Sequence, residues 1–245
     1  MSDYYEDSSV LEQLYAEGLI ENVCYRIKSG KEATVYCCQA APLYGDGLVS
    51  AKVYKPVRDR GFKRANVYLK GRVTLDKREG RAIKNKSEFG REAQLATWVG
   101  QEYETMQGLY EAGADIPRPV RCTGRALLME HIGCADSAAP QLKDVALERE
   151  EAERLYWRLM DNIELMLSQN CIHADLSAYN VLYWEGNIKL IDFPQAIDPR
   201  FNREAETILL RDMGNLQHHF LRYGIDDDVE TRGRRLWRQF VSGRL

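Results

Sequence analysis

The chain has 245 residues, 34 Lys and Arg against 37 Asp and Glu for a formal net charge of −3, and 44% hydrophobic residues. This is the composition of an ordinary soluble globular protein, long enough to bury a core as one large domain or two small lobes. No apolar run approaches the roughly 18 residues that span a bilayer, and the acidic start MSDYYEDSS is unlike a signal peptide, so a cytoplasmic protein without a membrane partner is expected.

The first predicted element is a short helix. Ser9-x-x-Glu12 reads as its capping box, Val10, Leu11, Leu14 and Tyr15 as its inward face, and Gly18 as its stop. Three strands follow, at Asn22 to Ile27, Ala33 to Gln39 and Leu48 to Tyr54, with a first turn Lys28-Ser29-Gly30-Lys31-Glu32. Cys37 and Cys38 are adjacent on the second strand and point to opposite faces. With Cys24, Cys122, Cys134 and Cys171 they make no C-x-x-C spacing, so buried free thiols are expected rather than a zinc site.

From Lys52 to Arg91 there are fourteen Lys and Arg against four Asp and Glu, a local +10 that leaves −13 for the rest. Such a strip is either a solvated surface or an attractor of phosphate, from a nucleotide or an RNA backbone. Its few aromatics do not support base stacking. Within it, Lys52 follows an apolar strand, and a lysine turned to the core side needs an anionic partner.

A long helix is predicted from Ser87 to Ala112, then a rigid turn through AGADIPRP and a buried strand ALLMEHI running into Gly133. Glu148 to Asn170 is an amphipathic helix with Ala152, Leu155, Leu159, Ile163, Met166 and Leu167 at helical spacing. The stretch CIHADLSAYNVLYWEGNIKLIDFPQA comes next. Two short strands, Val181 to Trp184 and Ile188 to Ile191, close on the turn Glu185-Gly186-Asn187, a hairpin that returns Asp192 to Asp175 and Asn180. Two carboxylates and an amide gathered on loops suit Mg²⁺ with one carboxylate to spare for a hydroxyl or water. Helices at Arg203 to Tyr223 and Val229 to Val241 finish the chain. His218 and His219 lack a third metal ligand at sensible spacing.

HADLSAYNVL followed by LIDFPQA resembles the catalytic and metal loops of the RIO family of atypical protein kinases, as does SGKEATVY in the first turn. The pattern can be laid along the chain from about Leu19 to Arg238, in the layout of the single-domain bacterial members. Ala174 stands where that family has glycine. The resemblance implies an α+β, two-lobed protein-kinase-like fold. Its N-lobe of antiparallel sheet would span residues 1–132 and its mainly helical, truncated C-lobe residues 133–245. There is no Ala-Pro-Glu and no long activation segment, which the family shares.

It further implies ATP and Mg²⁺, with Mn²⁺ as a possible substitute, and serine/threonine phosphoryl transfer to itself or to another protein, or ATP hydrolysis. Ser29, Gly30, Lys31, Glu32 and Val35 would cover the phosphates, and Lys52 would pair with Glu102, Glu92 and Glu104 being the rivals. Met129, Glu130 and Ile132 would form the adenine hinge, Asn180 and Asp192 would hold the metal, and Asp175 would orient the acceptor. His173 would buttress the loop. Lys52 would thus meet Asp175, Asn180 and Asp192 around one triphosphate. By family analogy, a nucleotide-gated factor on ribonucleoprotein is the alternative, using the basic 52–91 strip and an aspartyl-phosphate on Asp192.

Overall fold

The computed structural model describes residues 2–45, 47–56 and 88–245, with side chains from 7 onward in the first helix and from 92 in the helix that opens at 88. Most of the basic 52–91 strip lies outside the described residues. The chain divides into two compact units, residues 1–104 with 119–138 and residues 105–118 with 139–245.

The first unit is built on a five-stranded antiparallel sheet. Its strands are β1 (Ile20–Ser29), β2 (Ala33–Ala40), β3 (Leu48–Tyr54), β4 (Pro119–Thr123) and β5 (Ala126–Glu130), in the order β1-β2-β3-β5-β4. β4 escapes a sequence reading because it is five residues long, half-buried, and opens on a proline that cannot donate to the ladder. Register divides the sheet's side chains between two faces. One row runs Val35, Lys52, Leu127 and the next Cys37, Ser50, Met129. The other face carries Tyr36, Cys38, Val49, Ala51, Val53, Ala126 and Leu128. These form a buried cluster with Val10, Leu14, Leu19 and Ile20.

Val10 and Leu14 come from α1 (Ser2–Ala16), which therefore covers the face opposite Lys52. The helix begins seven residues before Ser9, so Ser9-x-x-Glu12 is helix interior and not a capping box. Tyr15 is 64% exposed rather than inward, because the 3.6-residue period turns it away from the stripe of Val10 and Leu14. The C-terminus does stop at Gly18, whose φ is +67°. Leu19 N–H bonds Leu14 O at 2.9 Å and Gly18 N–H bonds Tyr15 O at 3.0 Å, the paired bonds of a Schellman cap.

Tyr36 hydroxyl donates to buried Asp7 at 3.0 Å, fixing α1 on the sheet. Tyr36→Phe removes that donor and leaves the carboxylate in an apolar setting. The expected cost is about 1–3 kcal/mol, read from the midpoint of denaturant unfolding. An unchanged midpoint would show that Asp7 is otherwise satisfied.

Next in chain order is α2 (Glu88–Glu111), close to its predicted span. The second unit then holds α3 (Arg149–Ser168), the hairpin β6 (Val181–Trp184) and β7 (Asn187–Leu190), α4 (Ala205–Phe220) and α5 (Val229–Val241). The hairpin turn is two residues, Glu185 and Gly186, with φ of +49° and +77°, and Asn187 belongs to β7. Two positive φ values in a two-residue loop match the right-handed twist of the strands, where the sequence suggests a three-residue turn. The six cysteines are free, but only Cys37, Cys38 and Cys171 are buried. Cys24 and Cys134 are exposed, on the edge strand and on the loop after β5. Among the described residues no helix is long and apolar enough to cross a membrane.

Candidate active site

In the first unit Lys52 lies on β3 and Glu102 on α2. Their side chains meet at 2.8 Å, with Glu102 only 3% exposed. Of the three candidate glutamates it is Glu102 that turns inward, while Glu92 and Glu104 are exposed. The second carboxylate oxygen accepts from the buried Tyr54 hydroxyl. Tyr54 in turn packs edge-on against Trp98 of α2, and Lys52 Nζ stands 5.1 Å above the Tyr54 ring. A buried lysine is thus given a carboxylate, and the carboxylate two donors, which offsets the desolvation of both charges.

The turn that joins β1 and β2 closes by Gly30 N–H to Ala33 O at 2.8 Å. A Cβ at Gly30 would stand 3.3 Å from that oxygen, so a side chain there would ask the turn to give by a few tenths of an ångström. Lys31 and Glu32 are exposed on it, and Val35 is opposite Lys52 in register. Ser29 Oγ receives the Lys55 ammonium at 3.3 Å and is 3.5 Å from Thr34 Oγ1. Along the hinge stretch, Met129 is opposite Ser50 and Glu130 opposite Val49, while Ile132 is buried just before Gly133.

The second unit assembles the other candidates. After α3 ends at Ser168, Asn170 takes φ +57°, with Asn170 N–H to Leu167 O and Cys171 N–H to Met166 O, each 2.9 Å. That cap releases the chain into the loop carrying His173 and Asp175. Asn180 Nδ2 donates to Asp175 O at 2.8 Å and lies 3.4 Å from Asp175 Oδ2. The amide oxygen is then left to face elsewhere, as a cation ligand must. Ile191 N–H bonds Asn180 O at 3.0 Å, so Asp192 is tethered to Asn180 through the neighbouring residue. Asp192 itself is exposed with φ +73°, a left-handed conformation held by its surroundings. His173 Nε2 donates to Ile191 O at 3.0 Å and its ring packs on Phe193, which makes it the brace between the two loops. Ile172 and Ile197 exchange two backbone bonds beside it.

Three residues with no sequence assignment hold this loop from α4. Asp212 Oδ2 accepts Ala174 N–H at 2.7 Å, Arg211 donates to Ala174 O, and Asn215 Nδ2 donates to Leu176 O at 3.1 Å. The one available signal was a carboxylate inside the apolar stripe Leu209, Met213, Leu216, Phe220. Burial raises the Asp212 carboxyl to about 6, against the opposing pull of Arg211 and the Ala174 and Leu176 amides. The folded protein therefore keeps a proton that the unfolded chain has released between pH 3.8 and about 6, and this group's contribution to stability is lost as pH rises through that window. Asp212→Asn should flatten the wild-type slope of unfolding free energy across it; an unaltered slope would assign the titration elsewhere.

Among the described residues no group of three or more His, Cys, Asp or Glu could hold a metal on its own. His218 and His219 are helix residues, with burial lowering His219 to about 4.

A family model described as the RIO domain matches residues 35–233. A Thermoplasma acidophilum protein named RIO-type serine/threonine-protein kinase Rio1 is 34% identical over 136 residues, 56% of this chain and 70% of that one. Its Haloferax volcanii namesake is 30% identical over 224 residues, 89% and 70% of the two chains. The serine/threonine-protein kinase RIO1 of Chaetomium thermophilum is 32% identical over 220 residues, 85% of this chain but 41% of that protein, so the chain spans less than half of it. Among solved structures, the Rio2 kinase-ADP/Mg²⁺-phosphoaspartate complex from Chaetomium thermophilum superposes with a TM-score of 0.65 at 20% identity, covering 89% of this chain and 61% of the other. The fold is accordingly the protein-kinase-like α+β fold, with an antiparallel-sheet unit and a mainly helical one.

Proposed function

The chain belongs to the RIO family, and from that premise we propose that it transfers the γ-phosphoryl group of ATP, with Mg²⁺ or Mn²⁺, to serine or threonine of itself or another protein, or to water. The observation that carries the reading is the buried Lys52–Glu102 pair at 2.8 Å, on the sheet face opposite the one α1 covers. A lysine so braced offers a fixed positive charge to the α- and β-phosphates. Ser29, Gly30, Lys31, Glu32 and Val35 would cover the phosphates, and Met129, Glu130 and Ile132 would take the adenine.

Asn180 and Asp192 fit a divalent cation in chemistry, since both present oxygen. Two protein ligands also suit Mg²⁺, which usually keeps waters and substrate phosphates as its other ligands. When bound, the ion would neutralise charge developing on the phosphates. Asp175, exposed and 3.4 Å from the Asn180 amide, would orient the acceptor hydroxyl and receive its proton.

The similar Rio2 structure contains ADP/Mg²⁺ and a phosphoaspartate. That favours a second route here, in which an Asp192 oxygen bonds the γ-phosphorus as its bond to ADP breaks, and water later cleaves the acyl phosphate. Asp192→Asn should abolish both routes. The deciding test is incubation of the purified protein with γ-labelled ATP and Mg²⁺, followed by hydroxylamine. Label that hydroxylamine removes identifies the aspartyl-phosphate, and label that resists it identifies serine or threonine. The absence of both label and phosphate release in wild type would end the proposal.

A further inference from the structure

Residue 174 is alanine with φ +64°, a region in which a side chain is costly and glycine is not. Its N–H is fixed by Asp212 Oδ2 at 2.7 Å and its C=O by Arg211, whose guanidinium also contacts Asp212 Oδ1 at 3.1 Å. The direction of the N–H sets φ and that of the C=O sets ψ, so these two contacts together pin the backbone of residue 174. Asn180 Nδ2 holds Asp175 O at 2.8 Å, and Asn215 Nδ2 holds Leu176 O at 3.1 Å. All four peptide planes nearest Asp175 are thus gripped by side chains, one by Asn180 and three by residues 211, 212 and 215 on one face of α4.

We infer that Arg211 and Asn215 are positioning residues for Asp175, and that the Arg211 bridge is what holds an alanine at 174 in a left-handed conformation. This rests on the phosphoryl-transfer reading of the site for its effect on rate, but not for its effect on the backbone. Without Arg211 the Ala174 carbonyl loses its anchor, ψ relaxes toward the ordinary region, and Asp175 swings with it. With glycine at 174 the same loop geometry no longer works against a Cβ.

The test is a double-mutant cycle between Arg211→Ala and Ala174→Gly. Arg211→Ala should lower kcat about 10- to 100-fold with KM for ATP within about two-fold, since a misplaced group loses transition-state contacts and not ground-state binding. In the Ala174→Gly background the loss should shrink to within about three-fold. Equal losses in both backgrounds, or none in either, would overturn the inference. Arg211→Lys keeps the charge beside Asp212 but cannot span to the carbonyl. It should behave as the alanine variant does, and full activity would show that charge alone suffices.

A readout independent of activity separates this inference from the function it leans on. Ala174→Gly should raise the melting temperature more in Arg211→Ala than in the parent. Equal rises would refute the backbone coupling whatever the enzyme does. Coupling in stability with no phosphoryl transfer in the parent would refute the proposed function alone.

Discussion

Replacing Asp175 by alanine will cut phosphoryl transfer about 10²- to 10⁴-fold, the usual contribution of a positioned general base, while affinity for Mg·ATP stays near that of wild type. The separation follows from where the side chain sits. Asp175 reaches Asn180 Nδ2 with one oxygen at 3.4 Å and is otherwise exposed, while its main-chain carbonyl, not its carboxylate, makes the shorter 2.8 Å bond. Truncation therefore leaves Asn180 anchored, with its amide oxygen still available for the proposed cation.

Asp192→Ala contrasts with it. Removing the proposed cation ligand should weaken Mg·ATP binding itself, as calorimetry would show. Should Asp175→Ala turn over at the wild-type rate while Asp192→Asn is dead, the acceptor proton is not handled at Asp175. The aspartyl-phosphate route would then remain as the reading of the site.

How much of this could be read from the chain depended on the range of the interactions. β3 and α5 have their predicted bounds, Leu48–Tyr54 and Val229–Val241, and α2 and α3 fall within two residues of theirs, because periodicity and turn residues are local signals. The grouping of Asp175, Asn180 and Asp192 was legible too. It needs only a hairpin of two four-residue strands whose ends return to one place, and β6 and β7 supply it. Features set by distant partners were not legible. Ser9 looks like a cap because Ser-x-x-Glu is a local pattern, but α1 extends past it once Val10 and Leu14 have a sheet to cover.

Asp115 shows the same limit. It reads as part of a turn, yet Arg158 bonds it at 2.5 and 3.0 Å, Asn162 at 2.7 Å, and its carbonyl accepts Leu190 N–H at 2.8 Å. The clamp on the loop that carries Asp175 is the clearest case. Arg211, Asp212 and Asn215 are thirty-five or more residues from the backbone they hold, and no spacing rule reaches that far. What could be read was the departure from glycine at 174, and φ +64° shows why that substitution needs support.

Lys52→Ala will act on folding and on chemistry together, and a paired variant can pull the two apart. Taking away the ammonium leaves Glu102, 3% exposed, with the Tyr54 hydroxyl on its other oxygen. Breaking one side of a buried pair typically costs about 3–5 kcal/mol, enough to lower the unfolding midpoint substantially in a domain of ordinary stability. On the proposed function ATP turnover will fall as well, because the charge assigned to the phosphates is gone. Lys52→Met combined with Glu102→Leu removes both charges and keeps the volume, a change that is often neutral for stability. The double variant should therefore recover most of the midpoint and none of the turnover. Recovery of both would mean that the pair exists to hold β3 and α2 together and that the nucleotide is handled elsewhere. Recovery of stability alone assigns the charge of Lys52 to the substrate, with Glu102 as the group that keeps it aimed.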